Sequence, residues 1–225
     1  MTFDSNRACT MPFGRYPQDR DGQILPISWL VLKETVDSLL LLSERILDCK
    51  RYHGTTADIK WRDCVDTSWQ YCDLRSWLVG VFCETAFNAD EKSVMLPALA
   101  CPGTDECSFA DDMITLMGAD EARFHSASLG KGILKALGTE YAGLSKPDGC
   151  SLYVYDKGVA ENYIDVDGLK KGCSWWWLRT EGNKPSRAYF VGTGGSIRSY
   201  ANVSVSRPGV RPMIRVKASL GGSLK

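Results

Sequence analysis

SWWWLRT at residues 174–180 and PGVRPMIRV at residues 208–216 are the two blocks on which the reading of this chain turns. Each is a rigid block, one anchored by aromatic residues and the other by Arg and Pro, and the stretch between them has a chemistry suited to recognition rather than packing. From Ser186 to Arg207 there is no Lys, Glu, Gln, Asp, Met or Trp, while Arg187, Arg198 and Arg207 recur with Tyr189, Phe190 and Tyr200. Tyrosine and phenylalanine offer contact area at little rotamer cost, arginine offers charged hydrogen bonds, and Ser, Thr and Asn offer adaptable polar contacts. The segment reads as a binding face. Alternation along a strand places Trp176 on one side and Trp175 and Trp177 on the other, so one set is expected in the core and not all three.

Upstream, short strands dominate. Phe13–Gln18 and Ile24–Leu32 read as strands around the DRDG turn at 19–22, with Ile27, Trp29 and Val31 on one face. Leu39–Leu42 and Arg45–Asp48 extend a meander. Asp73 is placed to cap a helix whose stripe is Leu74, Trp77, Leu78, Val81 and Phe82, with Cys83 as a small core filler. Asn88 and Glu91 have capping-box spacing for a second helix, ended by Pro97 and the PGTDE turn at 102–106. Met113–Met117 reads as a strand, and Asp120–Phe124 as a short helix. Residues 126–172, with a helix near 131–137 and strands in SLYVYDKG and YIDVDG, read as an insertion or peripheral region walling one side of the face. The order of elements is that of an α+β fold with short strands and two main helices.

The chain has 225 residues, 44% of them hydrophobic and 24% charged, which suits a single globular domain. Its 27 basic and 27 acidic residues cancel, so no general attraction to nucleic acid follows. The distribution is uneven: after Glu181 there is no Asp or Glu, while Lys184, Arg187, Arg198, Arg207, Arg211, Arg215, Lys217 and Lys225 follow. An anionic or carboxylate-bearing ligand fits this tail. Arg179, Arg211 and Arg215 stand beside apolar residues in the anchoring blocks and are expected instead to make internal salt bridges to the acidic N-terminal part. Nine cysteines show no C-x-x-C pair, so zinc-ribbon spacing is absent and reduced, mostly buried thiols are expected. The opening residues lack an apolar signal region and no stretch reaches transmembrane length. The expectation is a monomer without membrane insertion, cytoplasmic or associated with a phage particle.

Catalytic and cofactor patterns find little support. GKG at 130–132 lacks P-loop spacing, GTGGS at 192–196 reads as a hairpin turn, and DVDG at 165–168 lacks the acidic residue of a calcium loop, where Trp176 stands. Cys49 and His53 are better read as a structural thiol and a satisfied histidine than as a dyad. No cofactor, metal or catalytic residue is assigned.

The two blocks, together with FGRYPQ (13–18), PISWLVL (26–32), ILDCKRYH (46–53), CDLRSWL (72–78) and TAFNADEK (85–92), resemble a bacterial and phage domain family whose members end in WWLR and GVRP. The resemblance implies a C-type-lectin-like fold of the type shared with formylglycine-generating enzymes. It also implies the role of a variable protein of a diversity-generating retroelement, in which a C-terminal segment is mutagenised to vary ligand binding. Mutagenesis of template adenines in asparagine codons cannot yield Lys, Glu, Gln, Met or Trp, and the run 186–207 contains none of them. On this reading residues 1–173 are scaffold and 174–217 the recognition segment. The contact residues are Asn183, Ser186, Tyr189, Phe190, Thr193, Arg198, Ser199, Tyr200, Asn202, Ser204, Ser206 and Arg207, and the partner is a protein or a glycan. Two alternatives stand beside it: an enzyme of the formylglycine-generating type using cysteine chemistry, and a structural phage or surface protein.

Overall fold

The computed structural model describes residues 9–54, 68–97, 112–154, 172–184 and 186–218. β1 (Thr10–Pro17) and β2 (Ile24–Glu34) pair antiparallel around the DRDG turn, where the Gly22 N–H donates to Asp19 O and the Gln23 N–H to Asp19 Oδ1. β3 (Ser38–Ser43) joins β2, and β11 (Pro212–Lys217), from the far end of the chain, joins β3. β5 (Met95–Leu96) and β6 (Ile114–Leu116) share the other edge of β11. A second sheet runs β4 (Asp48–Cys49), β10 (Gly209–Val210), β7 (Trp176–Glu181), β8 (Arg187–Val191) and β9 (Ile197–Asn202), with β10 parallel to β7. With its short helices the fold is α+β.

The chain changes sheet twice at one place. β3 belongs to the first sheet and β4 to the second, so Arg45–Asp48 does not extend the meander; Ile46 makes only an isolated bridge to Gly138. The GVRP block crosses back, with Gly209–Val210 in the second sheet and Pro212 onward in the first. Leaving a ladder frees backbone carbonyls that must find donors. Arg211 supplies them: its guanidinium donates to Ser43 O at 2.8 Å, Ile133 O at 2.7 Å and Glu44 O at 3.3 Å, and lies 5.0 Å from the Trp176 ring centre. Burial pushes this group down to about 9, which still leaves it charged at neutral pH. The expected salt bridge of Arg211 to a carboxylate is therefore replaced by carbonyl acceptors. Arg215 likewise donates to the Ser38 hydroxyl. Arg179 does meet an acid, Glu121, at 2.6 Å. Gly209 is required at the crossing, because a Cβ there would sit 2.1 Å from Ile46 Cγ2 and 2.8 Å from Leu152 Cδ1.

Two cores explain the tryptophan run. Trp177 faces a core with Trp29, Tyr52, Leu78 and Phe82, whereas Trp176 faces a second one with Ile46, Leu134, Leu152 and Met213. Both rings are fully buried. Trp175 is half-buried, so not all three rings are buried, but the expectation that one parity alone would be buried fails because β7 has packed side chains on both faces, as a central strand between two layers must. Each indole N–H finds a carbonyl, Trp176 at Leu134 O and Trp177 at Lys50 O.

The helix after Asp73 forms as α1 (Asp73–Trp77), a π-helical turn Leu78–Phe82, and α2 (Cys83–Ala86). Leu74, Leu78, Phe82 and Cys83 are buried as expected, but Val81 is 62% exposed. The wider turn rotates it off the stripe. Cys72, not Asp73, caps the start, accepting from Arg75 N–H at 3.3 Å, while the Asp73 carboxylate accepts from Gly54 N–H. The Asn88 and Glu91 capping box opens α3 (Ala89–Val94), which ends ahead of Pro97. The PGTDE turn lies outside the described residues. α4 (Ala119–Leu129) is longer than expected and opens on a Glu121 carboxylate that accepts from Gly118 N–H.

The helix near 131–137 is a single 3-10 turn, Lys131–Leu134, followed by α5 (Glu140–Gly143). Of the expected strands at 151–158 and 163–168, Ser151–Tyr153 is irregular and Val154 bridges Ser174; residues 155–171 lie outside the described set. Ile133, Leu134, Ala136, Ala142, Cys150 and Leu152 all enter the second core, so the described part of 126–172 builds the interior rather than a fringe.

His125, on α4, is buried, and among the described residues its Nε2 has no hydrogen-bond partner. Desolvation, aided by Lys33 and opposed by Glu121, lowers its pKa. The unfolded chain then binds a proton that the fold does not, so this contribution is complete above about pH 6.5 and is lost as pH falls below it. Denaturant titrations on both sides of about pH 6.5 should show a steeper acid loss in the wild type than in His125→Leu. Identical slopes would contradict the assignment.

Candidate functional site

β9 is the outer strand of the second sheet, and the hairpin that presents it is tightly made. The GTGGS turn closes with Gly192 N–H on Ser196 O and Gly195 N–H on Gly192 O. Gly195 adopts a φ of 77° there, a conformation that favours glycine. At the other end Ser186 has a φ of 64°, and its carbonyl accepts from Val203 N–H. Ser186 thus shapes the backbone. Arg187 donates to Tyr200 O at 2.9 Å, tying β8 to β9.

Four aromatic rings run across one side of this sheet. Tyr153 stacks on Trp175 with centroids 4.2 Å apart, Trp175 meets Phe190 at 5.9 Å, and Phe190 meets Tyr200 edge-on at 5.5 Å. Tyr153 and Trp175 are half-buried, Phe190 is buried, and the series ends at Tyr200, which is 53% exposed. Arg198, two residues before Tyr200 and paired across from Phe190, is also exposed, and its Nε donates to Ser196 Oγ at 3.2 Å. Arg207 is exposed near the opposite end, where its carbonyl accepts from Tyr153 N–H. Such a platform offers flat apolar area whose rings are already ordered by their neighbours, flanked by guanidinium donors.

The structure sorts the sequence-derived contact residues. Phe190 is a correction: it is 7% exposed and packs in the first core, supporting Tyr200 from below. Tyr189 points the other way, toward the second core and α4, where the Arg123 guanidinium lies 5.6 Å from its ring centre. Arg123 is itself paired with Asp120. Asn202 accepts from Ser204 N–H and its hydroxyl, closing a turn of its own. Ser206 is strapped by its carbonyl, which accepts from Ser151 N–H. Ser199 accepts from Asn183 N–H, and Asn183 is exposed on the turn before β8. Thr193 is half-buried in the turn beyond β8. Tyr200 and Arg198 are thus brought together, with Arg207 at the Tyr153 end. Tyr153 and Trp175 were missed, since nothing in their spacing reveals that the loop holding Tyr153 folds against β7.

The six described cysteines form no disulfide with one another; Cys9 is exposed, and Cys49, Cys72, Cys83, Cys150 and Cys173 are buried. Cys49 and His53 do not form a dyad: the Cys49 thiol donates to Ser206 O and Pro208 O, while His53 Nδ1 faces Asp73. Among the described residues no group of three or more His, Cys, Asp or Glu side chains is arranged to hold a metal ion. DVDG lies outside them. No described helix is long and apolar enough to cross a membrane.

Fold and face define a two-sheet α+β protein with an aromatic platform on an edge hairpin. Residues 36–218 match DUF6273, a domain of unknown function, and the chain belongs to that family. No curated protein and no solved structure matches the chain.

Proposed function

We propose that this chain is a ligand-binding protein that displays a diversified C-terminal surface on a C-type-lectin-like scaffold, the variable protein of a diversity-generating retroelement of bacterial or phage origin. The observation that carries the reading is the aromatic series from Tyr153 to the exposed Tyr200, set beside exposed Arg198 in a segment without acidic residues. Ordered aromatics with adjacent arginines are the residue types that dominate binding energy in interfaces. The tail is basic, and the partner is a protein or glycan bearing negative charge.

Purified protein is expected to capture a specific macromolecular partner from cells or extracts. Tyr200→Ala or Arg198→Ala should weaken that capture at least tenfold, about 1.4 kcal/mol. A reverse-transcriptase gene beside a near-identical template repeat would support the diversification reading directly. Should both substitutions leave capture unchanged while Cys150→Ser or Cys173→Ser abolishes a measurable turnover, the binding reading falls and the cysteine-enzyme alternative replaces it.

A further inference from the structure

Two glycine-rich turns that are far apart in the chain meet in the fold. The GTGGS turn at the tip of the β8–β9 hairpin rests on the GKG turn at 130–132: a Cβ on Gly195 would lie 3.2 Å from Lys131 O, 3.4 Å from Leu134 Cβ and 3.7 Å from Lys135 Cγ. Both anchoring blocks hold the second turn from within, since Arg211 Nη1 donates to Ile133 O and the Trp176 indole N–H to Leu134 O. α4 runs into the same turn, ending where Gly130 adopts a φ of 88°, and it also contacts β9. The backbone that carries Lys131 is therefore fixed against the hairpin that carries Arg198, and both residues are exposed.

We propose that this junction is a second half of the recognition surface and docks an acidic segment of a partner protein, with Lys131 and Arg198 as its cations. The inference rests on the binding reading above and narrows its partner.

Charge sets the sign of that partner. The acid-free tail beyond Glu181 meets a second acid-free stretch, 122–139, whose basic residues are Arg123, Lys131 and Lys135, besides the buried His125. Arg123 is paired with Asp120 and Lys135 is half-buried, so Lys131 is the cation that this stretch adds at the tip. Glu44 approaches the turn through the carbonyl that Arg211 Nη2 reaches, and its neighbour Arg45, which donates to Gly138 O, offsets its charge. Two basic segments brought together without an acid of their own favour a ligand of opposite charge.

The donor set favours a protein over a glycan. Sugar hydroxyls donate as well as accept, whereas ammonium and guanidinium groups only donate and carboxylates only accept. Phe124 and Leu129 on α4, 59% and 46% exposed, add apolar area to the same surface. Apolar anchors rimmed by charge are the composition of a protein interface.

The test titrates a fluorescein-labelled peptide of Asp and Glu interspersed with Leu and Phe into the folded full chain and follows fluorescence anisotropy. Binding is expected to weaken about tenfold or more as salt rises from about 50 to about 300 mM. Lys131→Glu and Arg198→Glu should each raise Kd about tenfold, and Lys131→Gln by less, with melting temperatures unchanged because both sites are exposed. Arg20→Glu, the same charge change on the exposed DRDG turn of the other sheet, should move Kd less than about twofold. Loss with Arg198→Glu but not with Lys131→Glu overturns this proposal and leaves the binding face standing. An equal loss with Arg20→Glu shows net charge alone at work and overturns it too. Lys131-dependent binding of heparin in place of the peptide would make the partner an acidic glycan and overturn the assignment to a protein. If the wild type does not bind the peptide the proposal falls, while the binding reading is judged separately by capture with Tyr200→Ala.

Discussion

Trp177→Ala is expected to destabilise the protein by about 3 to 5 kcal/mol, and Trp176→Ala by a similar amount. Each removes a fully buried indole from a different core, and each leaves a carbonyl without its donor, Lys50 O in one case and Leu134 O in the other. Losses of that size are a large fraction of the 5 to 15 kcal/mol that holds a typical domain together. The comparison that gives the result meaning is a combined Arg198→Ala and Tyr200→Ala variant. Both positions are exposed, and such sites usually move stability by no more than about half a kcal/mol each. Urea denaturation of the variants measures both. Equal losses for the tryptophan and surface sets would show that the hairpin end of β9 is core and remove the basis for a displayed face. A small loss at Trp176 alone would show that the second core is not packed as described.

Arg179→Met is expected to cost about 3 to 5 kcal/mol, because it strands a buried carboxylate. Arg179 Nη1 donates to both Glu121 Oε2 and Leu116 O at 2.6 Å, and Glu121 is 2% exposed. Methionine fills much of the volume but donates nothing. The same carboxylate accepts from Gly118 N–H at the start of α4, so the ion pair also fastens that helix to β7. Adding Glu121→Gln should recover part of the loss, since an amide keeps an acceptor for Gly118 and carries no charge. A coupling energy between the two changes of about 0.5 to 3 kcal/mol, from a double-mutant cycle in urea, is the expected outcome. Strict additivity would mean that the pair contributes through packing alone.

A small part of the candidate face was legible residue by residue. Tyr200 and Arg198 emerge exposed from a segment whose composition already separates it from the core, and the GTGGS turn sits where its glycines require. Phe190 was misassigned because the segment's composition cannot say which aromatic rings face inward. The bulge between Ala188 and Phe190 shifts the register of β8, so side cannot be counted from the turn. The platform rings Tyr153 and Trp175 belong to the same difficulty. Their stacking depends on Ser151 and Tyr153 N–H groups pairing with Ser206 and Arg207 carbonyls across more than fifty residues of chain.

Local chemistry by itself determined the strands around DRDG, the capping box at Asn88 and Glu91, the buried stripe of Leu74, Leu78 and Phe82, and the distinction between the anchoring blocks and the run they enclose. These follow from periodicity and from side chains acting on their own backbone neighbours. Only the tertiary structure decided that both Trp176 and Trp177 are buried and that Arg211 serves carbonyls rather than a carboxylate. In each case the partner comes from a distant segment at the place where the chain passes between two sheets. A strand's hydrophobic pattern records whether its faces are wet or dry, but not which distant carbonyl or ring will lie against it.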